Sequence, residues 1–249
     1  GSLKPNFWRA VTDNDMGAQS QSNFAAWRTP KMKLRSLTVD KKLKTVVAVY
    51  NMPAVKSTLT LTYQVEANGT LVITQDLKTT PGAKVSEMLR FGMVMNLPYD
   101  MDQVQWNGRG PVENYSDRKI SQNVGIYHST ADDLFYPYVR PQETGTMSDL
   151  RWWNQTNKNG VGFRVESDKL FSASALHYDL LTLDEGKEKK QRHSQSVEKS
   201  KYTNLFIDLV QSGVGGVDSW GGDGRARKGH RVEYKDYTFS FRIAPKTLY

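Results

Sequence analysis

Carboxylates are the first side chains in this sequence whose type and spacing suggest chemistry. Asp13 and Asp15 flank Asn14, Glu113 and Asp117 share one short segment with Arg109 and Arg118, and Glu143 closes Tyr136-Pro-Tyr-Val-Arg-Pro-Gln-Glu143. Two carboxyls held ~5 to ~9 Å apart, one with a raised pKa, would suit the hydrolysis of a glycosidic bond. Each of these acids stands beside an arginine or in a turn, which fits a structural ion pair better, so no catalytic residue is assigned. Thr12-Asp-Asn-Asp15 resembles the start of a calcium loop. Counting from Asp13, however, the sixth and twelfth places hold Ala18 and Phe24, where that loop requires Gly and Glu. His128, His177, His193 and His230 lack the spacing of a metal-binding pair. His177 follows an apolar run and is the one to test as an acid or base, against a capping or surface role.

Two glycine-rich stretches carry further polar and aromatic groups. In Trp106-Asn-Gly-Arg-Gly-Pro-Val-Glu-Asn-Tyr-Ser-Asp-Arg118, glycine, proline and charge argue against a strand or helix interior and for a loop of one fixed shape. Two readings stand. One is a self-braced turn, with Arg109 and Arg118 paired internally with Glu113 and Asp117. The other is a surface for a sugar or a neighbouring domain. Gly213-Val-Gly-Gly-Val-Asp-Ser-Trp-Gly-Gly-Asp-Gly224 imitates a phosphate loop, but no helix pattern follows it, so phosphate binding is set aside. What remains is a loop presenting Trp220. Its indole either packs on the C–H face of a hexose, with Asp218 accepting a hydroxyl hydrogen bond, or plugs the core.

The elements that must position these groups are strands. Ser57 to Val65 alternates, with Leu59, Leu61, Tyr63 and Val65 on one face; Glu66-Ala-Asn-Gly69 is a turn, and Leu71, Ile73 and Leu77 continue the pattern. Thr45 to Tyr50 reads as a buried strand. Further strands are expected over Met88 to Leu97, Val161 to Val165, Leu170 to Leu176, Leu205 to Val210 and Tyr237 to Ile243, with one short helix over His177 to Glu185. Residues 3–30 look irregular. Many strands separated by turn signals predict an all-β sandwich or barrel.

Bulk properties narrow the classes. The chain has 249 residues and no cysteine, which excludes disulfides, thiolate nucleophiles and cysteine-held zinc. Its net charge of +8 is scattered, and no nucleic-acid-binding signature accompanies it. The one dense run, Asp184 to Lys201, mixes both signs and reads as a solvated loop. No apolar run approaches the ~18 residues of a membrane span. Gly1-Ser2 reads as a cloning remnant, and 3–249 as one domain of a larger protein. The compartment stays open between bacterial periplasm and cytoplasm, leaning to the periplasm.

Pro5-Asn-Phe-Trp-Arg-Ala-Val-Thr-Asp-Asn-Asp15, Gly108 to Arg118, Tyr136 to Gly145 and Gly215-Gly-Val-Asp-Ser-Trp220 occur in this order. In these motifs the chain resembles the C-terminal small-chain domain of the large bacterial β-galactosidases, members of glycoside hydrolase family two. The resemblance implies an antiparallel β supersandwich of the galactose-mutarotase-like kind. It also implies partners: the TIM barrel and β-sandwich domains of a retaining β-galactosidase, whose barrel holds the catalytic glutamates and has a place for Mg and Na ions, and a β-galactoside substrate. For this chain it implies no cofactor and no hydrolysis unaided. Trp220 matches the tryptophan that the domain sends into the galactoside site. The segment after Trp27 resembles a mobile loop beside it, and Arg9, Asp13, Asp15, Arg109, Glu113, Asn114, Arg118 and Glu143 read as framework at the domain face. Val217 departs from the family, which often has an acid there. Two other readings compete: a free-standing galactose-binding module using Trp106, Trp152, Trp153 and Trp220, and a mutarotase-like epimerase using His177 and a carboxylate.

Overall fold

The computed structural model describes residues 2–184 and 192–246. Among them run twelve strands: β1 (Leu3–Asn6), β2 (Lys33–Asp40), β3 (Thr45–Met52), β4 (Ser57–Val65), β5 (Leu71–Thr79), β6 (Arg90–Pro98), β7 (Gln103–Gly110), β8 (Asn123–Thr130), β9 (Met147–Thr156), β10 (Gly162–Leu176), β11 (Tyr202–Gln211) and β12 (Tyr237–Lys246). Three short helices accompany them: α1 (Asp13–Gly17), α2 (Ser20–Asn23) and α3 (Leu180–Leu183). The fold is all-β, and every strand pairing is antiparallel.

The main path runs β1-β6-β11-β10-β12-β5-β4-β3-β2, and β9, β7 and β8 branch from β10. The long β10 makes the fork possible. Its first part, Gly162 to Glu166, pairs with both β9 and β12, and its last part, Ser172 to Leu176, pairs with β11. The two short strands expected at 161–165 and 170–176 are therefore one strand. The polar interval between them, Glu166 to Phe171, is where its register with β9 shifts.

Alternation dictates the β4–β5 hairpin as expected: Leu59, Leu61, Ile73 and Leu77 are buried, and Ser57 faces Thr79 through to Val65 facing Leu71. These side chains join Trp8, Trp27, Phe91, Phe239 and Phe241 in one apolar cluster. β3 differs from the expectation of a buried strand, since only Ala48 and Met52 are covered. It lies next to last in the sheet, and β2 beyond it is exposed throughout. Leu34, Leu37 and Val39 of β2 pair with Tyr50, Ala48 and Val46, so they share a face with buried Leu59 and Leu61 but overhang the core.

Trp106 to Gly110 is a strand interior rather than a loop. β7 buries Val104, Trp106, Gly108 and Gly110 in alternation. Its glycines serve close approach, because a side chain on Gly108 would run into Leu150 and the Ser148 carbonyl of β9. Trp106 faces Trp153 across this pair, with ring centroids 5.7 Å apart.

Candidate functional site

The polar face of the molecule is built around α1. Thr12 caps it: the Asp15 amide donates to the Thr12 hydroxyl (3.1 Å), and the Thr12 amide donates back to the Asp15 carboxylate (3.0 Å). This reciprocal cap, with acids in a helical first turn, explains the Asp-Asn-Asp spacing without a metal. Asp15 also takes two hydrogen bonds from Arg9, at 2.9 and 3.0 Å, and both residues are buried. Burial works against the Arg9 charge, but Asp15 more than offsets it and holds the guanidinium above its ordinary pKa. The remaining Arg9 donors reach the carbonyls of Ser212 (2.5 Å) and Gly213 (2.8 Å).

Those two carbonyls form the root of the Trp220 loop, which is tied at several further points. Asp117 accepts from the amides of Val214 (3.1 Å) and Gly215 (2.9 Å). Gly213 lies so close to the same carboxylate that a side chain there would collide with it. Asn14 donates to the Asp218 carbonyl and accepts from the Ser219 hydroxyl, both at 3.1 Å. The Asp218 carboxylate accepts from the Trp220 amide at 2.8 Å, fixing the last bend. Beyond these ties the indole stands free, 80% exposed. Of the two readings of Trp220, the core plug is excluded. The Asp218 carboxylate, expected to meet a hydroxyl, has the backbone amide as one partner.

The motifs converge here. A cavity of about 220 Å³ is lined by Asp13, Asn14, Arg118, Glu143 and Val214. Asp13 is half exposed and pairs loosely with Arg140 at 3.6 Å. Glu143 is buried and accepts from Arg90 (2.8 Å) and the Thr146 hydroxyl (2.9 Å). Glu113 receives Arg118 (2.5 Å), the Gly145 amide (2.7 Å), the Tyr115 hydroxyl (3.3 Å), the Thr144 hydroxyl (3.2 Å) and the Tyr138 hydroxyl. Burial, then the charges of Glu113 and Glu143, push the Tyr115 hydroxyl well above its usual pKa. Every acid weighed for catalysis thus has a structural partner.

The self-braced reading of the 106–118 segment holds for Arg118 and Glu113. It fails for Arg109, which pairs with Asp149 at 2.6 Å and donates to the carbonyls of Lys119 and Gln122. Asp117, the partner expected for an arginine, is turned to the Trp220 loop instead. Asn114 is fully buried, donating to the Val112 carbonyl (2.9 Å) and accepting from the Ser148 amide (3.0 Å). Trp27 lies in the core, its indole donating to the Ser86 carbonyl and its ring 5.4 Å from Phe7. α1 packs directly on the Trp220 loop: a side chain on Gly17 would strike the Ser219 carbonyl.

Several expectations change. Trp106 and Trp153 are buried in strands, and Trp152 lies under the Arg164 guanidinium, 4.4 Å from the ring centre, so they cannot join Trp220 in one loop surface. His177 is neither a cap nor at the surface. It is 1% exposed and stacked on Tyr99, with its ring nitrogens on Asp132 (2.9 Å) and the Tyr99 carbonyl (3.1 Å). Both ring nitrogens are engaged within the fold, and the ring is closed off from solvent. The charged run begins inside the protein, since buried Asp184 accepts from the Trp8 indole and from Arg28, each at 2.8 Å. Its middle, 185–191, and the helix end expected at Glu185 lie outside the described residues. No described helix is long and apolar enough to cross a membrane.

The chain is 31% identical over 222 residues to a β-galactosidase of Priestia megaterium, covering 88% of this chain and 21% of that protein. It is 35% identical over 222 residues to a β-galactosidase of Lactobacillus delbrueckii subsp. bulgaricus, covering 86% and 21%. It thus spans about a fifth of the length of these relatives. Among solved structures, an aldose epimerase homologue from C. elegans superposes with a TM-score of 0.45 at 9% identity, over 92% of this chain and 71% of that one. The family described as "Beta galactosidase small chain" matches residues 1–243. The chain belongs to the β-galactosidase small-chain family.

Proposed function

We propose that this chain is the accessory domain of a retaining β-galactosidase of glycoside hydrolase family two, and that Trp220 supplies an aromatic platform to its sugar pocket. The observation that carries this reading is an indole left 80% exposed on a loop whose backbone is tied by Arg9, Asn14 and Asp117. A large apolar ring held out by a fixed loop keeps its shape at little entropic cost when a sugar stacks on it. The acid/base and nucleophile glutamates, and any Mg or Na ions, belong in this reading to the remainder of the parent polypeptide. Asp13, Arg118 and Glu143 then line the face turned to that remainder, and Arg9, Asp15, Arg109, Glu113 and Asn114 stiffen it.

The test is kinetic and uses the full-length parent. Trp220→Ala should raise KM for a β-galactoside by about tenfold, equivalent to ~1.4 kcal/mol, or shift the ratio of hydrolysis to sugar transfer. An unchanged KM together with an unchanged product ratio removes the platform role.

A further inference from the structure

A second cavity, of about 180 Å³, lies between the 115–119 segment and strands β9, β10 and β11, with no residue of the 213–225 loop in its lining. Three backbone irregularities meet around it. β10 shifts register against β9 on either side of Phe171. β11 shifts register against β6 between Asp208 and Val210. Asp149, within β9, has a φ of 53°, the left-handed region that residues with a side chain rarely occupy. Bulges and such backbone conformations gather where side chains are re-aimed at a ligand.

The side chains in the wall are incompletely bonded. Gln211 is 92% buried by its 8% exposure, and its Nε2 has no hydrogen-bond partner. Its Oε1 lies 3.3 Å from the Thr146 hydroxyl, whose single proton goes to Glu143 at 2.9 Å. Turning the amide over would free the oxygen instead, so one polar atom is left over either way. The Ser116 hydroxyl is likewise buried without a partner. Groups of this kind cost stability unless something satisfies them. The Asp149 carboxylate is shared by Lys119 at 2.7 Å and Arg109 at 2.6 Å, so these three groups keep one net positive charge at the cavity edge. The unpartnered atoms themselves, an amide and a hydroxyl, are neutral, and what they demand is hydrogen bonds rather than a counter-charge. The buried ring of Phe171 and the half-exposed Leu170 supply an apolar wall on the same cavity. The volume lies below the ~300–1,000 Å³ typical of drug-sized ligands, which suits a single ring.

We propose that this cavity is a second binding site, for one neutral hydroxylated ring: a monosaccharide or cyclic polyol. Hydroxyls of the ligand complete the bonding of Gln211 and Ser116, and its C–H face lies toward Phe171 and Leu170. The proposal does not rest on the role given to Trp220.

The experiment is an amide-resolved NMR titration of the 249-residue chain with D-galactose, D-glucose, D-mannose and myo-inositol, each to tens of millimolar. At least one should give saturable shifts at Ser116, Asp149, Phe171 and Gln211. Gln211→Met keeps the length of the side chain without its amide and should weaken that binding by about tenfold or more. Leu170→Ser, at a half-exposed position that does not threaten folding, should weaken it several-fold, and Trp220→Ala should leave it unchanged. The proposal is overturned by shifts confined to 213–225, by no saturable shift with any of the four compounds (a site for ordered water only), by equal binding in the Gln211→Met and parent chains, or by displacement of the sugar by phosphate. Loss of the Trp220 effect on KM in the parent enzyme would leave this site standing, and the reverse also holds.

Discussion

The 106–122 segment and the 213–225 loop share a glycine-rich, polar composition and use it in opposite directions. In the first, three polar side chains are tied into the fold: Asn114 is fully covered, Glu113 collects five donors, and Arg109 holds two carbonyls and Asp149. In the second, the backbone is what is held, by Arg9, Asn14 and Asp117, and the largest side chain points out. Density of hydrogen-bonding residues therefore marks the part of the surface that must not move. The part left exposed, which the proposed function uses for binding, is the neighbour it immobilises. Asp117 joins the two, since it belongs to the first segment and anchors the second.

Four measurements sharpen or break this contrast. Arg9→Met leaves Asp15 buried without its cation and releases the root of the Trp220 loop. It should cost about 3–5 kcal/mol in urea unfolding, and a loss under ~1 kcal/mol would mean that the pair is not the anchor described. Asn114→Ala strands the buried Ser148 amide and the Val112 carbonyl. About 2–3 kcal/mol should be lost, and in the parent enzyme KM should stay where it was; a changed KM would give the braced segment a binding role.

The inward network also has a pH dependence. Burial pushes Asp208 up to about 7, with Arg90 opposing the shift and Glu143 adding to it. Its carboxylate lies 3.3 Å from Arg90 in a geometry that makes no hydrogen bond. A carboxyl whose folded pKa exceeds its unfolded one stabilises at low pH and loses that contribution as pH rises through the folded value. Stability should therefore fall between about pH 4 and pH 7 by up to ~1.4 kcal/mol per pH unit and level off above the folded value. Thermal melts of Asp208→Asn between pH ~4 and ~8 should show that slope flattened. The smallest effect belongs to the outward loop. Trp220→Ala should change stability by no more than ~0.5 kcal/mol, whereas a cost above ~2 kcal/mol would make the indole a packing residue and the contrast false.

Strands with strict alternation were legible in the sequence, because Leu59, Leu61, Ile73 and Leu77 need only their neighbours to set their faces. β7 was not, since glycines that admit Leu150 look like turn residues when read without β9. β8 was hidden for another reason: it has no fully buried position to mark a period. The five-residue α1 is too short for a helical stripe. Trp220 was singled out by its motif, but the residues that hold its loop were not. Asp117 lies 97 and 98 residues from the amides it holds, and Asn14 lies 204 from the Asp218 carbonyl, so no local spacing records either pairing. The buried place of His177 was not legible either, because only the tertiary fold brings Asp132 and the Tyr99 carbonyl to its ring nitrogens.

The overhanging β2 gives the separated chain a particular solution behaviour. A terminal strand with its outer backbone groups unpaired is a template onto which another strand can add. Between Lys31 and Lys44 it carries six cations (Lys31, Lys33, Arg35, Lys41, Lys42 and Lys44) against the single acid Asp40. Two copies meeting rim to rim would bring ten units of net like charge together, five from each. That repulsion reaches only about 8–10 Å at physiological ionic strength and about 3 Å in molar salt. High salt thus removes the barrier that keeps one rim from zipping onto another, while the apolar stripe of Leu34, Leu37 and Val39 stays available to make the contact.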